Sequence, residues 1–463
     1  MRYFLDPFGC VKNQVDAETM MACLNGAGWV SSDDPGGADL IIVNSCGFIE
    51  SAKRESINAV LAWRKRYPGK KILLAGCLPR RYEKELAESL PEADILFGNG
   101  NLTNITEAAG RAAGQGPEIP GGYPLSGAAV SAPAVIPGQR PLLSLPGSAY
   151  VKISEGCNNR CSFCAIPLIR GPLVCRPVPD IVDECRTLFR RGVREINLIG
   201  QDTGSYGLDR DGAEGSRASA LPDLLRALSA LEGRFWVRLL YIHPDSFPLS
   251  ILDILGQDSR FLPYFDIPFQ HGSPKILATM NRRGDTETCL SLIGKIRERL
   301  PAAVIRSTFM TGFPGETEED FAALLDFQER ARFDWLGCFV YSREDGTPAW
   351  SMKRRVPKKT ALERKRIIEE RQIPITGKNM DRFIGKEYDV LVEEKIGEEE
   401  GLCLGRLYCQ APEVDGAAVI HCEEGRPLPE PGTFVKCRVF ARAGFDLRVL
   451  TGGGEIQGCF PKN

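Results

Sequence analysis

Three cysteines fall within eight residues, Cys157-Asn158-Asn159-Arg160-Cys161-Ser162-Phe163-Cys164, directly after the apolar run Tyr150–Ser154. A loop of this spacing can wrap three thiolates round three irons of a 4Fe-4S cube. The fourth iron is then left without a protein ligand, free to chelate the amino and carboxylate groups of a small molecule such as S-adenosylmethionine (SAM). The fold is constrained with it, because loops at the carboxyl ends of parallel barrel strands converge on one mouth. The alternative is a structural zinc site, which calls for four ligands, usually in paired C-x-x-C or C-x-x-H units. Of the three histidines His243 is the nearest in sequence, and Cys175 is the candidate fourth thiol.

The surrounding pattern supplies such strands. Six β-like runs, Tyr150–Ser154, Glu195–Ile199, Trp236–Tyr241, Tyr264–Ile267, Val304–Met310 and Leu336–Tyr341, alternate with helical stretches and predict a partial or full α/β barrel. Ahead of them, runs at Arg2–Leu5, Asp39–Asn44, Lys71–Ala75 and Asp94–Phe97 alternate with helix-like segments, Asp16–Gly28 and Ser51–Tyr67, as in a parallel α/β sheet. From Gly114 to Gly147 the chain fills with Pro, Gly, Ala and Ser, which reads as a linker. The last stretch is β-rich, with runs at Tyr388–Glu393, Leu402–Tyr408, Ala417–His421 and Phe434–Phe440, and predicts a small all-β barrel or sandwich. The fold class is therefore α/β: a parallel domain over 1–113, a linker over 114–147, a central partial α/β barrel over 148–375 and a small β domain over 376–452.

A second set of cysteines is dispersed. Cys10, Cys46 and Cys77 each sit where an apolar run gives way to a glycine-containing turn: Phe8-Gly9-Cys10, Ser45-Cys46-Gly47 and Gly76-Cys77. If those runs are parallel strands, their carboxyl ends lie side by side, at the edge where such sheets bind ligands. Three thiols in register there would make a second cluster site with one iron unligated by protein. A buried core thiol is the plainer reading of a lone cysteine, and it is adopted for Cys23, Cys185, Cys289 and Cys338.

Composition narrows the function classes. With 463 residues, 43% apolar and 25% charged, the chain can build two or three cores, which excludes disorder and collagen-like repeats. Its 16 cysteines are well below the density of disulfide-stapled domains, so thiols in a reducing compartment are expected. Met1–Cys10 lacks a basic start with an apolar run, and no long apolar stretch follows, so a cytoplasmic protein without a membrane partner is expected. The segment Met352–Arg382 carries 11 basic and 4 acidic residues and reads as a solvated connecting helix, with contact to RNA as the alternative. From Phe383 to Asn463 there are 9 basic and 14 acidic residues, a poor balance for gripping phosphates. Scattered histidines give no Ser–His–Asp arrangement, and Gly98-Asn99-Gly100 lacks the context of a phosphate cradle, so hydrolase and nucleotidase readings are dropped.

The chain resembles the radical-SAM methylthiotransferases over nearly its whole length. The resemblance is carried by Gly9-Cys10-Val11-Lys12-Asn13-Gln14-Val15-Asp16-Ala17-Glu18, by Cys46 and Cys77, and by Glu155-Gly156-Cys157 through Cys164. Gln201-Asp202, Asp266-Ile267-Pro268-Phe269-Gln270-His271, Gly312-Phe313-Pro314-Gly315-Glu316-Thr317 and Tyr341-Ser342 followed by Gly346-Thr347-Pro348 add to it. Residues 1–113 then resemble the family's N-terminal domain, 148–375 its radical-SAM core and 376–452 a TRAM domain. Lys12-Asn13, Asn44-Ser45-Cys46-Gly47-Phe48-Ile49 and Ala411-Pro412-Glu413-Val414-Asp415-Gly416 are similar to the branch that modifies an aspartate on a small-subunit ribosomal protein, the S-twelve protein. The other branch modifies adenosines in tRNA. The linker is long for the family, and Cys175 stands where a hydroxyl residue is common.

The resemblance implies two 4Fe-4S clusters, one on Cys157, Cys161 and Cys164 and one on Cys10, Cys46 and Cys77, with SAM as cofactor. It implies methylthiolation at the β-carbon of the target aspartate, with sulfur from the second cluster and a methyl group from a second SAM. Partners would be the ribosomal protein and with it the ribosome, an electron donor such as flavodoxin or ferredoxin, and a sulfur donor. Phe163 is the expected wall for the adenine, and Gln201 and Asp202 are the expected contacts to the ribose or amino group of SAM. Two alternatives stay open: a tRNA adenosine methylthiotransferase, and a non-catalytic iron–sulfur or zinc protein that assembles on ribosomes.

Overall fold

In the computed structural model, which describes residues 1–114, 140–209, 218–397, 401–423 and 427–452, three large sheets follow one another along the chain, with a two-stranded ribbon set into the second. The first is parallel, with β1 (Arg2–Pro7), β2 (Val30–Ser31), β3 (Leu40–Ser45), β4 (Lys71–Gly76) and β5 (Ile95–Gly98) in the order β2-β1-β3-β4-β5. Strand alternation splits its apolar residues between two cores. Leu40, Ile42, Leu73 and Ala75 pack with α1 (Val11–Gly26) on one face, while Ile41, Val43, Ile72 and Leu74 pack with α2 (Glu50–Arg66) on the other. All four expected strands are present. β2 was missed because two residues carry no periodicity. The expected helix at Asp16 starts earlier, at Val11, so its first turn lies against the cysteine edge.

Short helices α3 (Cys77–Arg81), α4 (Glu83–Ser89) and α5 (Ile105–Ala112) complete this layer. Most of the expected linker, 115–139, lies outside the described residues. Arg140 is already packed inside the next layer.

The central sheet has six strands, β6 (Ser148–Lys152), β9 (Glu195–Ile199), β10 (Trp236–Leu239), β11 (Phe261–Asp266), β12 (Val304–Thr311) and β13 (Trp335–Val340), each parallel to its neighbour and in chain order. That is the partial barrel. Between β6 and β9, β7 (Ser154–Glu155) pairs antiparallel with β8 (Val174–Cys175) and closes the cysteine loop at its base, with α6 (Ile166–Arg170) inside the excursion. The basic segment forms the helix Lys358–Met380, and it is not simply solvated: Ala361, Ile368, Gln372, Ile375 and Met380 are buried.

The last sheet is a closed barrel of β14 (Glu387–Gly397), β15 (Leu402–Arg406), β16 (Ala418–His421), β17 (Phe434–Ala443) and β18 (Asp446–Thr451). Closure removes exposed edges. The barrel shares one apolar cluster with the central sheet, in which Trp236, Val304 and Trp335 join Val390, Leu407 and Val439, and polar groups add to it: Glu195 takes both Arg238 (2.9 Å) and Arg406 (2.5 Å), and the Tyr264 hydroxyl donates to Asp415 (2.6 Å).

Candidate functional site

β1, β3 and β4 are adjacent and parallel, so the residues that follow them emerge at one edge. Cys46 directly follows β3, Cys77 directly follows β4, and Cys10 follows β1 after a short turn. Glycines make this crowding feasible. Gly76 has φ +101°, and a Cβ there would stand 2.5 Å from the Ser45 carbonyl oxygen; a Cβ on Gly47 would meet the Cys77 carbonyl at 2.7 Å. Cys10 occupies the N-cap of α1 without capping it, which leaves its thiol uncommitted to the helix. Asn13 staples the turns, its amide donating to the carbonyls of Phe8 (2.8 Å) and Ser45 (3.0 Å).

The loop cysteines stand at the mouth of the barrel. Gly156 precedes them at φ +73°, where a Cβ would run into the Pro172 carbonyl at 2.0 Å. The Asn159 amide N–H donates to Cys157 Sγ (3.4 Å), and His243 Nε2 lies 3.8 Å from Cys161 Sγ. Burial holds the His243 imidazole neutral, with its pKa lowered to about 3, and Nδ1 accepts from the Asp245 N–H (3.2 Å). The ring proton therefore sits on Nε2, which makes His243 a donor to the Cys161 sulfur rather than a metal ligand. Cys175 does not join the loop: its thiol is buried in the central core and accepts the Gly207 N–H at 3.1 Å. Cys23, Cys185, Cys289 and Cys338 are buried core thiols as expected.

Both sets of three open into one chamber of about 340 Å³, lined by Cys10, Cys46, Cys77, Cys157, Cys161 and Cys164. Burial raises the thiol of Cys157 to about 11 and those of Cys77 and Cys164 to about 12. Thiols in that range need a bound metal to draw off their protons. Among the described residues no three His, Cys, Asp or Glu side chains converge as the donors of a single ion. Three thiols in each set, facing one chamber, are donor chemistry that fits an iron–sulfur cluster with one iron left open.

The two sets are locked to each other by buried charge. Arg170, closing α6, reaches Cys77 Sγ (3.2 Å), Asp16 (2.9 Å) and Glu155 (2.8 Å); Lys152 pairs with the same two carboxylates. Burial pushes the Glu155 carboxyl up, but Arg170 and Lys152 more than offset it and hold it far below the ordinary range. Beside this group, Arg140 joins Glu18 of α1 to Glu184, which also takes Arg176 (2.6 Å).

The expected cofactor contacts fall in different places. Phe163 lines the chamber and meets Phe313 edge-on (centroids 6.5 Å apart). Gln201 also lines it, donating to Glu155 (2.8 Å), while its Oε1 is buried with no partner among the described residues. Asp202 turns away, accepting from Asn159, Gly204, Ser205, His243 and Ser246, and so holds the loops that carry other groups. Sequence reasoning gave no site role to Arg170, Tyr241 or Gln270, although Gln270 stands in one of the motifs that carry the resemblance. The last two line the chamber with φ of +62° and +71°, a strained backbone of the kind found where structure over-determines a site.

Comparison with known proteins gives three family matches. Residues 2–98 match "Uncharacterized protein family UPF0004", 151–327 the Radical SAM superfamily and 384–450 the TRAM domain. A protein of Treponema denticola named ribosomal protein uS12 methylthiotransferase RimO is 48% identical, over 96% of this chain and 100% of its own length. Proteins of the same name from Carboxydothermus hydrogenoformans (39% identical, 92% of this chain, 94% of theirs) and Aquifex aeolicus (40%, 95% and 94%) are also similar. Among solved structures, the radical SAM methyltransferase TsrM of Kitasatospora setae superposes with a TM-score of 0.55 at 17% identity, over 75% of this chain and 76% of that one. At that identity it supports the fold alone.

Proposed function

The chain belongs to the ribosomal protein uS12 methylthiotransferases of the radical-SAM superfamily, and on that premise we propose that it adds a methylthio group to the β-carbon of an aspartate of uS12. In this reading Cys157, Cys161 and Cys164 hold the 4Fe-4S cluster that binds SAM, and Cys10, Cys46 and Cys77 hold a second one. The observation that carries the reading is the shared chamber, which six thiols from two separate sheets enter together. When bound, the loop cluster supplies one-electron reduction of SAM to a hydrogen-abstracting radical, and the sheet-edge cluster supplies sulfur.

The chain's own residues place the reacting groups and exclude water. Phe163 offers an apolar wall for the adenine, and the orphaned Oε1 of Gln201 offers an acceptor to the amino or hydroxyl groups of SAM. Asp202 acts through Asn159 and His243 as a positioning residue. Arg170 holds the cysteine loop against Cys77. Reduction requires an electron donor such as flavodoxin or ferredoxin, and repeated turnover requires a sulfur donor. A tRNA substrate is disfavoured by the acidic terminal module and by the names of the relatives.

Anaerobic reconstitution with iron and sulfide counting, followed by a mass assay on uS12 and on tRNA, tests the proposal. A methylthio mass on uS12 and none on tRNA is expected. Cys157→Ala should abolish SAM cleavage, whereas Cys46→Ala should lose methylthio transfer while SAM is still split. Equal loss of both activities in both variants would count against separate roles for the two sets of cysteines.

A further inference from the structure

A carboxylate entering a chamber largely walled by apolar groups needs a cation to receive it. Three cations line this chamber, Lys12, Arg170 and Arg282. Arg170 is committed to Asp16 and Glu155. Arg282 donates to the Pro268 carbonyl through one terminal nitrogen while its Nε is buried without a partner among the described residues, and its field falls on Cys164 and His243, the side of the cysteine loop and away from Cys10. Lys12 is different: among the described residues its ammonium has neither a hydrogen bond nor an ion pair, and it rests over the Tyr241 ring, 2.8 Å from the centroid. The carboxylates near it already have partners. Asp266 takes Arg306 (3.2 Å) and the Tyr241 N–H (3.3 Å), and Glu155 takes Lys152 and Arg170. Lys12 also stands on the first turn of α1, two residues after Cys10, on the side where sulfur would be delivered.

We infer that the Lys12 ammonium receives the side-chain carboxylate of the target aspartate and selects an acidic residue for modification. This rests on the reading of uS12 as substrate. The Tyr241 face holds the ammonium by cation–π attraction while leaving its N–H donors for an incoming anion. A carboxylate bound there has its β-carbon one bond from the anchored group, inside the chamber that both sets of cysteines line. An amide in the same position would forgo the charge-assisted bond.

The test uses the full-length, anaerobically reconstituted protein with uS12 bearing the target aspartate or an asparagine in its place. The readouts are kcat/KM for methylthio transfer, equilibrium binding of each uS12 form without reductant, and iron and sulfide per chain. The wild-type protein should prefer aspartate, and Lys12→Met should reduce that preference by on the order of ten- to a hundredfold, the value of a hydrogen bond to a charged group. Lys12→Arg should restore part of it, with iron content equal in all three. Retained preference in Lys12→Met, an equal loss on both substrates, or a fall in iron would each overturn the inference. If the wild-type protein modifies neither form of uS12, the substrate reading itself fails and the inference falls with it.

Discussion

Replacing Arg140 by methionine tests whether buried charge fastens the first sheet to the barrel. Arg140 bridges Glu18 of α1 and Glu184, and also donates to the Tyr150 carbonyl (3.0 Å) on β6. Both partners are almost fully buried. Glu184 keeps Arg176, but Glu18 is left with only the Leu143 N–H (2.8 Å) and the Gln14 amide (3.1 Å). Removing one partner of a buried pair costs ~3–5 kcal/mol. The two remaining hydrogen bonds place this case near the lower end, ~3 kcal/mol, or about two decades in an opening equilibrium. The pH dependence has a definite sign. Burial already raises the Glu18 carboxyl, and Arg140 offsets this only in part. Without Arg140 it rises further, and a carboxyl raised above its unfolded value destabilises the fold where it is charged. The deficit is therefore largest at alkaline pH and shrinks as pH falls through the raised pKa and the group takes up a proton. Hydrogen exchange read by mass spectrometry on peptides covering Val11–Gly26 and Ser148–Lys152 measures it, with protection falling about a hundredfold at alkaline pH and by less as the pH is lowered. The double variant Arg140→Met/Glu18→Gln should recover most of the loss. Wild-type protection in the single variant, or no recovery in the double, refutes the reasoning.

Two further outcomes follow from the site. His243→Leu removes the N–H donor facing Cys161, so the loop cluster should become harder to reduce; its midpoint potential, followed by electron paramagnetic resonance during a redox titration, should move to a more negative value, and an unchanged potential would refute the donor role. Gly76→Ala forces a Cβ to within 2.5 Å of the Ser45 carbonyl at a left-handed φ, so the Cys46–Cys77 edge should open and bound iron should fall by roughly half while SAM cleavage survives. Full iron in that variant would show that the turn tolerates the side chain.

The two sets of cysteines were legible in the sequence for a definite reason. In parallel sheets a residue just after a strand is fixed in space by the strand alone, so Cys46 and Cys77, 31 positions apart, could be placed together without knowing any side-chain contact. The buried cations were not legible. Arg140, Lys152 and Arg170 find carboxylates 122, 136 and 154 positions away, and no local pattern points to partners at such separations. Gln201 and Asp202 read alike, as polar residues at a strand end. What separates them is a 3-10 turn whose Gly204 N–H and Ser205 hydroxyl capture the Asp202 carboxylate, a local outcome that pattern alone does not decide. Tyr241 gave no cue either, since a positive φ at an aromatic residue comes from tertiary context.

That buried ion pairs cross the joint between the two domains bears on how the reaction can be aimed. Four cations, Arg140, Lys152, Arg170 and Arg176, meet four carboxylates, Asp16, Glu18, Glu155 and Glu184, all of them buried. Such groups add little net stability, because desolvation consumes most of their attraction. An apolar joint of the same area would tolerate a small slide with little penalty, whereas here any slide leaves a buried charge unpaired. Asp16 and Glu18 lie on the helix that begins beside Cys10, while Lys152 and Glu155 lie just ahead of Cys157 and Arg170 just after Cys164. The ion pairs therefore set the position of one set of thiols against the other, and on the proposed assignment, with radical formation at one set and sulfur at the other, the reaction depends on that spacing being held.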